Sequence, residues 1–205
     1  MPALEGGWIL KWDIEKGAVP NHSFRGRTRM VVGRRGMETQ IMPDFAYRTE
    51  ATIDAAPKML FDIVSDLSLH VELAGSGELK TGTQSPAGDV ETGTRFLAEE
   101  SVKLADGSGM DVTADSVVVI CDTPTTFSWI VNPVLPDRLR RVQWWFHFTP
   151  EGDRTRVVHE VEIDFGDLQD EMLKGLRDNF GQVRAPVIRT GMDRTLENLR
   201  TMAAR

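Results

Sequence analysis

The chain has 205 residues, 40% hydrophobic and 27% charged, with a formal net charge of −7. That balance suits one globular domain with an appendage. It excludes a general binder of nucleic acid or anionic membranes, whose phosphates an acidic surface repels. The lone cysteine, Cys121, allows no intrachain disulfide and fits a reducing, cytoplasmic setting.

Residues 1–37 hold seven Lys/Arg against three Asp/Glu, so the acidic balance falls on the remainder. Glycines punctuate the segment and no hydrophobic period persists. Glu5, Lys11, Asp13 and Glu15 interrupt its apolar residues, so it is not a signal peptide. No stretch of the chain is apolar over the length needed to span a bilayer. Three readings of the leader compete: a poorly ordered arm, an element docked through Trp8 and Trp12, and a non-native leader with translation starting at Met30, Met37 or Met42. The boundary is drawn at an N-terminal extension 1–42 followed by a domain 43–205.

Phe45 to Asp54 alternates as a strand, with Phe45, Tyr47, Thr49, Ala51 and Ile53 on one face. Asp54-Ala-Ala-Pro57 opens a helix striped by Leu60, Phe61 and Val64. Leu67 to Leu73 forms a second short helix, which Gly75-Ser76-Gly77 closes. Strands follow at Glu78–Gln84, Gly93–Leu104, Met110–Cys121 and Thr126–Asn132, separated by Pro/Gly/Asp turns. Leu168, Met172, Leu173 and Leu176 predict a helix over Asp167–Phe180, with Gly181 and Pro186 as interruptions. A final helix from about Arg184 to Ala203 carries the stripe Ile188, Met192, Leu196, Leu199 and Met202. That stripe needs a concave apolar partner, and the sheet supplies it.

Arg140 to Phe165 is the centre of the chain. Val142, Trp144, Phe146 and Phe148 share a face of one arm; Val157, His159, Val161, Ile163 and Phe165 share a face of the other. The apolar faces coincide only when paired positions sum to an odd number. Pro150 opposite Thr155, around a four-residue loop, satisfies this. It sets His159 across from Phe146, and Trp144 across from Val161.

Ala51-Thr-Ile-Asp-Ala-Ala-Pro57 leading to Leu60-Phe61-Asp-Ile-Val-Ser-Asp66, then Gly93-Thr-Arg-Phe96, Trp144-Trp-Phe-His-Phe-Thr-Pro150, Gly152-Asp-Arg-Thr-Arg-Val-Val158 and Gly191-Met-Asp-Arg-Thr-Leu-Glu-Asn-Leu199 carry a resemblance. Over about residues 43–203 the chain resembles the START-related SRPBCC superfamily, in its polyketide cyclase/dehydrase-like branch. The resemblance implies an α+β helix-grip fold: a curved antiparallel sheet of about seven strands around a long C-terminal helix, with two short helices after the first strand. It also implies a cavity for lipids, sterols or polyketide-like molecules. The helix Leu67-Ser-Leu-His-Val-Glu-Leu73 departs from many relatives, in which an aromatic-rich helix ends in Trp, so their ligand preferences do not carry over.

The expected ligand-binding residues are Phe96, Trp129, Trp144, Phe146, His159, Phe165, Ile188 and Met192, an apolar wall with one imidazole. Filling a solid core is the competing reading for the aromatic residues. His159 is the best acid–base candidate, weighed against a core histidine satisfied by backbone. His147 lies on the opposite strand face, and His22 and His70 lack ligand spacing, so no metal or cofactor is expected. Asp62, Asp66, Glu72 and Arg95 suit solvated faces, and Cys121 suits a buried thiol. Three functions remain open: a carrier or sensor of a hydrophobic small molecule; a polyketide cyclase, aromatase or dehydratase; and a protein-interaction module served by the basic leader. No integral membrane association is expected, and a homodimer stays open.

Overall fold

The computed structural model describes residues 42–205, together with the backbone of 29–33 and 36–40. Trp8 and Trp12, and the readings of the leader that rest on them, lie outside the described residues. Within the extension, β1 (Arg29–Gly33) and β2 (Gly36–Gln40) pair antiparallel, with Met30 opposite Thr39.

Seven strands make the main sheet: β3 (Phe45–Ile53), β4 (Leu79–Gln84), β5 (Arg95–Lys103), β6 (Gly109–Asp122), β7 (Thr126–Pro133), β8 (Arg141–Glu151) and β9 (Arg154–Asp164). Their order is β3-β9-β8-β7-β6-β5-β4, antiparallel throughout. The first and last strands in sequence are therefore neighbours, and the sheet curls around the C-terminal helix. In β3 the alternation is visible in burial: Phe45 and Ile53 are buried, and Ala46, Arg48 and Glu50 point to solvent.

Between β3 and β4, α1 (Pro57–Ser65) starts on Pro57, whose missing N–H costs nothing in a first turn. It buries Leu60, Phe61 and Val64; the Phe61 ring meets Phe127 and Phe148 edge-on at 6.1 and 5.9 Å. The Asp66 carboxylate accepts from the Ser68 backbone N–H at 3.0 Å and starts the tight turn Leu67–Leu69, which leads into α2 (His70–Leu73).

After β9 come α3 (Glu171–Val183) and α4 (Ala185–Ala203). On α4, Ile188, Met192, Leu196 and Leu199 are buried against the sheet. The core lies between these layers in two clusters. One gathers Phe61, Phe127, Phe148 and the C-terminal half of α4; the other gathers Phe165, Phe180, Leu173 and its N-terminal half.

Three local expectations are corrected. Glu151 pairs with Arg154, so the β8–β9 loop has two residues rather than four. Gly152 takes φ +70°, which a two-residue hairpin turn demands at its first position. The register is the expected one, with Pro150 opposite Thr155 and His159 opposite Phe146. The helix expected from Asp167 begins at Glu171, because Asp170 caps it by accepting from Leu173 N–H at 3.0 Å. The Asp137 carboxylate accepts from the backbone N–H groups of Gln169 and Asp170 at 2.6 and 2.5 Å, which holds that stretch out of the helix. Finally, Gly181 does not interrupt α3. The break falls at Arg184 (φ −123°), and Pro186 sits in the first turn of α4.

Candidate functional site

Inward-facing positions of β5 to β9, together with α2, α3 and α4, line a partly open cavity of about 280 Å³. Phe96, Trp129, Trp144, Phe146, His159, Phe165, Ile188 and Met192 all line it. Four of these form one aromatic wall across β7, β8 and β9. Trp129 stacks on Trp144 and on Phe146, with centroids 6.3 and 6.2 Å apart and planes within 17°. His159 lies between Phe146, at 4.0 Å, and Trp144, at 5.6 Å. The cross-strand pairs Trp129↔Trp144 and Phe146↔His159 impose these stacks.

His159 is 3% exposed, and its Nδ1 donates to the Trp145 carbonyl at 3.0 Å. Burial depresses its pKa to about 4, although that carbonyl works in the opposite direction. The imidazole is thus neutral at pH 7, and Nε2 keeps its lone pair. His70 has the same arrangement. Its Nε2 donates to the Val64 carbonyl at 2.8 Å, burial lowers its pKa, and its ring packs 5.5 Å from Trp129.

The cavity also has polar residues that were not anticipated. Ser116 is buried on the β6 wall, and its Oγ has no hydrogen-bond partner among the described residues. Glu100 lines the β5 wall, where burial, with the neighbouring Glu78 carboxylate, pushes its carboxyl up. Glu78 and Arg184 close that end as a buried bidentate pair at 2.6 and 2.8 Å. His70, also missed, had a signal in the sequence: Leu67, His70 and Leu73 recur at spacing three. No local pattern links Glu78 to Arg184.

Other candidates fall outside the cavity. His147 faces the far side of the sheet, with Nδ1 3.3 Å from the Thr126 hydroxyl and Nε2 3.7 Å from Glu160. Asp62 pairs with Lys58, Glu72 with Arg205, and Arg95 with Asp115, all on exposed surfaces. The Cys121 thiol donates to the Val90 carbonyl at 3.4 Å, and burial pushes its pKa up, away from thiolate reactivity. Among the described residues no group of three or more His, Cys, Asp or Glu side chains gathers as a metal site. No described helix is long and apolar enough to cross a membrane.

An antiparallel sheet gripping a C-terminal helix over an apolar cavity defines a helix-grip protein of the START-related SRPBCC superfamily. The chain belongs to the family described as polyketide cyclase / dehydrase and lipid transport, which residues 44–204 match. Solved structures share the fold at low identity. Ginseng major latex-like protein 151 from Panax ginseng is 9% identical, with a TM-score of 0.56 over 78% of this chain and 98% of that one. A protein of Thermus thermophilus is 18% identical, with a TM-score of 0.53 over 78% and 97%. A START superfamily protein of Mycobacterium smegmatis is 11% identical, with a TM-score of 0.54 over 78% and 97%. The chain has no match among curated proteins.

Proposed function

We propose that the chain holds a compact hydrophobic small molecule between sheet and helix, as a carrier or sensor. The observation that carries this reading is the cavity itself, 280 Å³ of space against the stacked wall of Trp129, Trp144, Phe146 and His159. Ordinary packing leaves few voids larger than a water molecule, so a space of this size is a feature to be filled. It lies at the lower end of the volumes of small-molecule pockets, roughly 300–1,000 Å³. Within the class of lipid, sterol and polyketide-like ligands, that favours a one- or two-ring molecule over a sterol or a long acyl chain.

The cyclase, aromatase or dehydratase reading, with His159 as acid–base group, draws its support from the family description. A histidine with a pKa of about 4 is a weak base at pH 7, and proton transfer is most efficient from groups that titrate near the working pH. His159 therefore suits recognition through Nε2 better than catalysis.

A thermal-shift and native mass-spectrometry panel graded by size, from single-ring aromatics to sterols, tests the proposal. A compact ligand at a hundredfold excess over Kd should add about 2.7 kcal/mol, roughly 5–10 °C in Tm for a chain of this length. Ala114→Phe, which fills the cavity from β6, should abolish the shift. A panel in which sterols stabilise and compact aromatics do not would refute the size argument. No stabilisation by any member would refute the function.

A further inference from the structure

The polar groups that the cavity leaves without protein partners are biased toward acceptance. Each histidine spends its ring N–H on a backbone carbonyl, His70 on Val64 and His159 on Trp145, and keeps one bare nitrogen. Glu100 presents a carboxyl from the inward face of β5, between Ala98 and Val102 on that face and opposite Val112 on β6. Among the described residues it has neither a salt-bridge nor a side-chain hydrogen-bond partner. The cavity's guanidinium, Arg184, is consumed: Glu78 takes it bidentately, and the Lys103 carbonyl accepts from the same Nη1 at 2.9 Å. Glu78 in turn accepts from the Lys103 N–H at 2.6 Å.

Two carboxyl groups therefore face one cation at this end of the cavity, and the cation belongs to Glu78. We propose that the ligand is a compact apolar amine, its ammonium group held by Glu100 and its ring against the apolar lining beside it, Ala98, Val102 and Val112. Burial and Glu78 disfavour the Glu100 anion and the Arg184 charge only partly offsets them, so a cation placed beside Glu100 adds to that offset. A carboxylic acid would bring a third negative charge to a site whose cation is committed. The buried Ser116 hydroxyl, which has no partner, is a second polar point in the cavity lining.

This inference rests on the cavity-binding reading above, and one calorimetric series separates the two. Propylbenzene, phenethyl alcohol, phenethylamine and phenylacetate share a ring and differ in the polar end. The wild-type chain should bind phenethylamine about tenfold tighter than phenethyl alcohol, and phenylacetate weakest, the size of effect expected when a charge-assisted hydrogen bond replaces a neutral one. In Glu100→Gln the amine advantage should vanish while propylbenzene binding persists, which also reports that the cavity is intact. Equal wild-type affinity for amine and alcohol, tighter phenylacetate binding, or an amine preference that survives Glu100→Gln overturns the proposal. If Glu100→Gln fails to bind propylbenzene, the order of the four probes on the wild-type chain decides. If wild-type binds none of the four, the cavity reading fails, and the amine proposal with it.

Discussion

His159 lies face to face on Phe146, with ring centroids 4.0 Å apart and planes 7° apart. The stack fixes the imidazole plane, and the Trp145 carbonyl fixes the tautomer. A proton on Nε2 would place a charge among aromatic rings at a residue only 3% exposed. Stability should therefore fall on acidification. The native pKa is about 4 and the ordinary value 6.5. Between those values the unfolded chain binds a proton that the native chain refuses. The contribution is fully present above pH 6.5 and is lost as pH falls toward 4, by about 3 kcal/mol in total. His70 acts in the same direction. Urea midpoints from pH 7.5 to 4.5 should decline, and His159→Gln should flatten the decline. An unchanged slope in that variant would contradict the assignment.

Ser116 and Ser128 are equally buried serines with opposite expected costs. The Ser116 hydroxyl has no partner among the described residues. The Ser128 hydroxyl donates to the Trp144 carbonyl at 2.8 Å and accepts from Gln143 Nε2 at 2.9 Å. Ser116→Ala removes an unsatisfied polar group and should be neutral or stabilising by up to about 1 kcal/mol. Ser128→Ala strands the Gln143 amide and should cost about 1–3 kcal/mol. Paired urea melts of the ligand-free protein compare them directly.

What could be read from the sequence was what alternation and parity govern. The odd-sum rule set the β8–β9 register, so His159 could be placed opposite Phe146 and on the cavity side. The stripe of α4 identified Ile188 and Met192 as facing the sheet. Hidden were the residues that depart from such patterns for reasons distant in the chain. Glu100 occupies an inward β5 position at which alternation calls for an apolar side chain. Asp137 delays the start of α3 from more than thirty residues away. Glu78 and Arg184 are 106 residues apart, and no propensity foretells such a pair.

That pair makes a third prediction. Glu78 and Arg184 side chains are 6% and 13% exposed, so each charge depends on the other. Arg184→Met leaves a buried carboxylate unpaired and should cost about 3–5 kcal/mol, whereas Glu78→Gln with Arg184→Met should recover most of the loss. A double-mutant cycle by urea denaturation measures the coupling. Two additive single losses would show that the pair is not the unit that holds the α3–α4 junction to the β4–β5 edge.

The Gly75–Thr195 contact sets a fourth. Gly75 N–H donates to Thr195 Oγ1 at 2.9 Å, and Asn198 Nδ2 reaches the Leu73 carbonyl at 3.2 Å, so the chain after α2 lies directly on α4. A Cβ at Gly75 would collide with the Gly191 carbonyl oxygen and the Thr195 nitrogen, both backbone atoms that cannot swing aside. Gly75→Ala must therefore push α2 and α4 apart, at a cost of about 1–3 kcal/mol for overpacking. Because Leu73, Ser76 and Thr195 also line the cavity, the same substitution should weaken ligand binding as well as stability. Gly77 offers the contrast. It has φ +62° and open space around its Cβ position, so Gly77→Ala costs only backbone strain and should leave ligand affinity unchanged. Urea melts and propylbenzene titrations on both variants separate a packing contact from a turn requirement. Equal effects of the two substitutions on affinity would show that the approach of Gly75 to α4 does not shape the cavity.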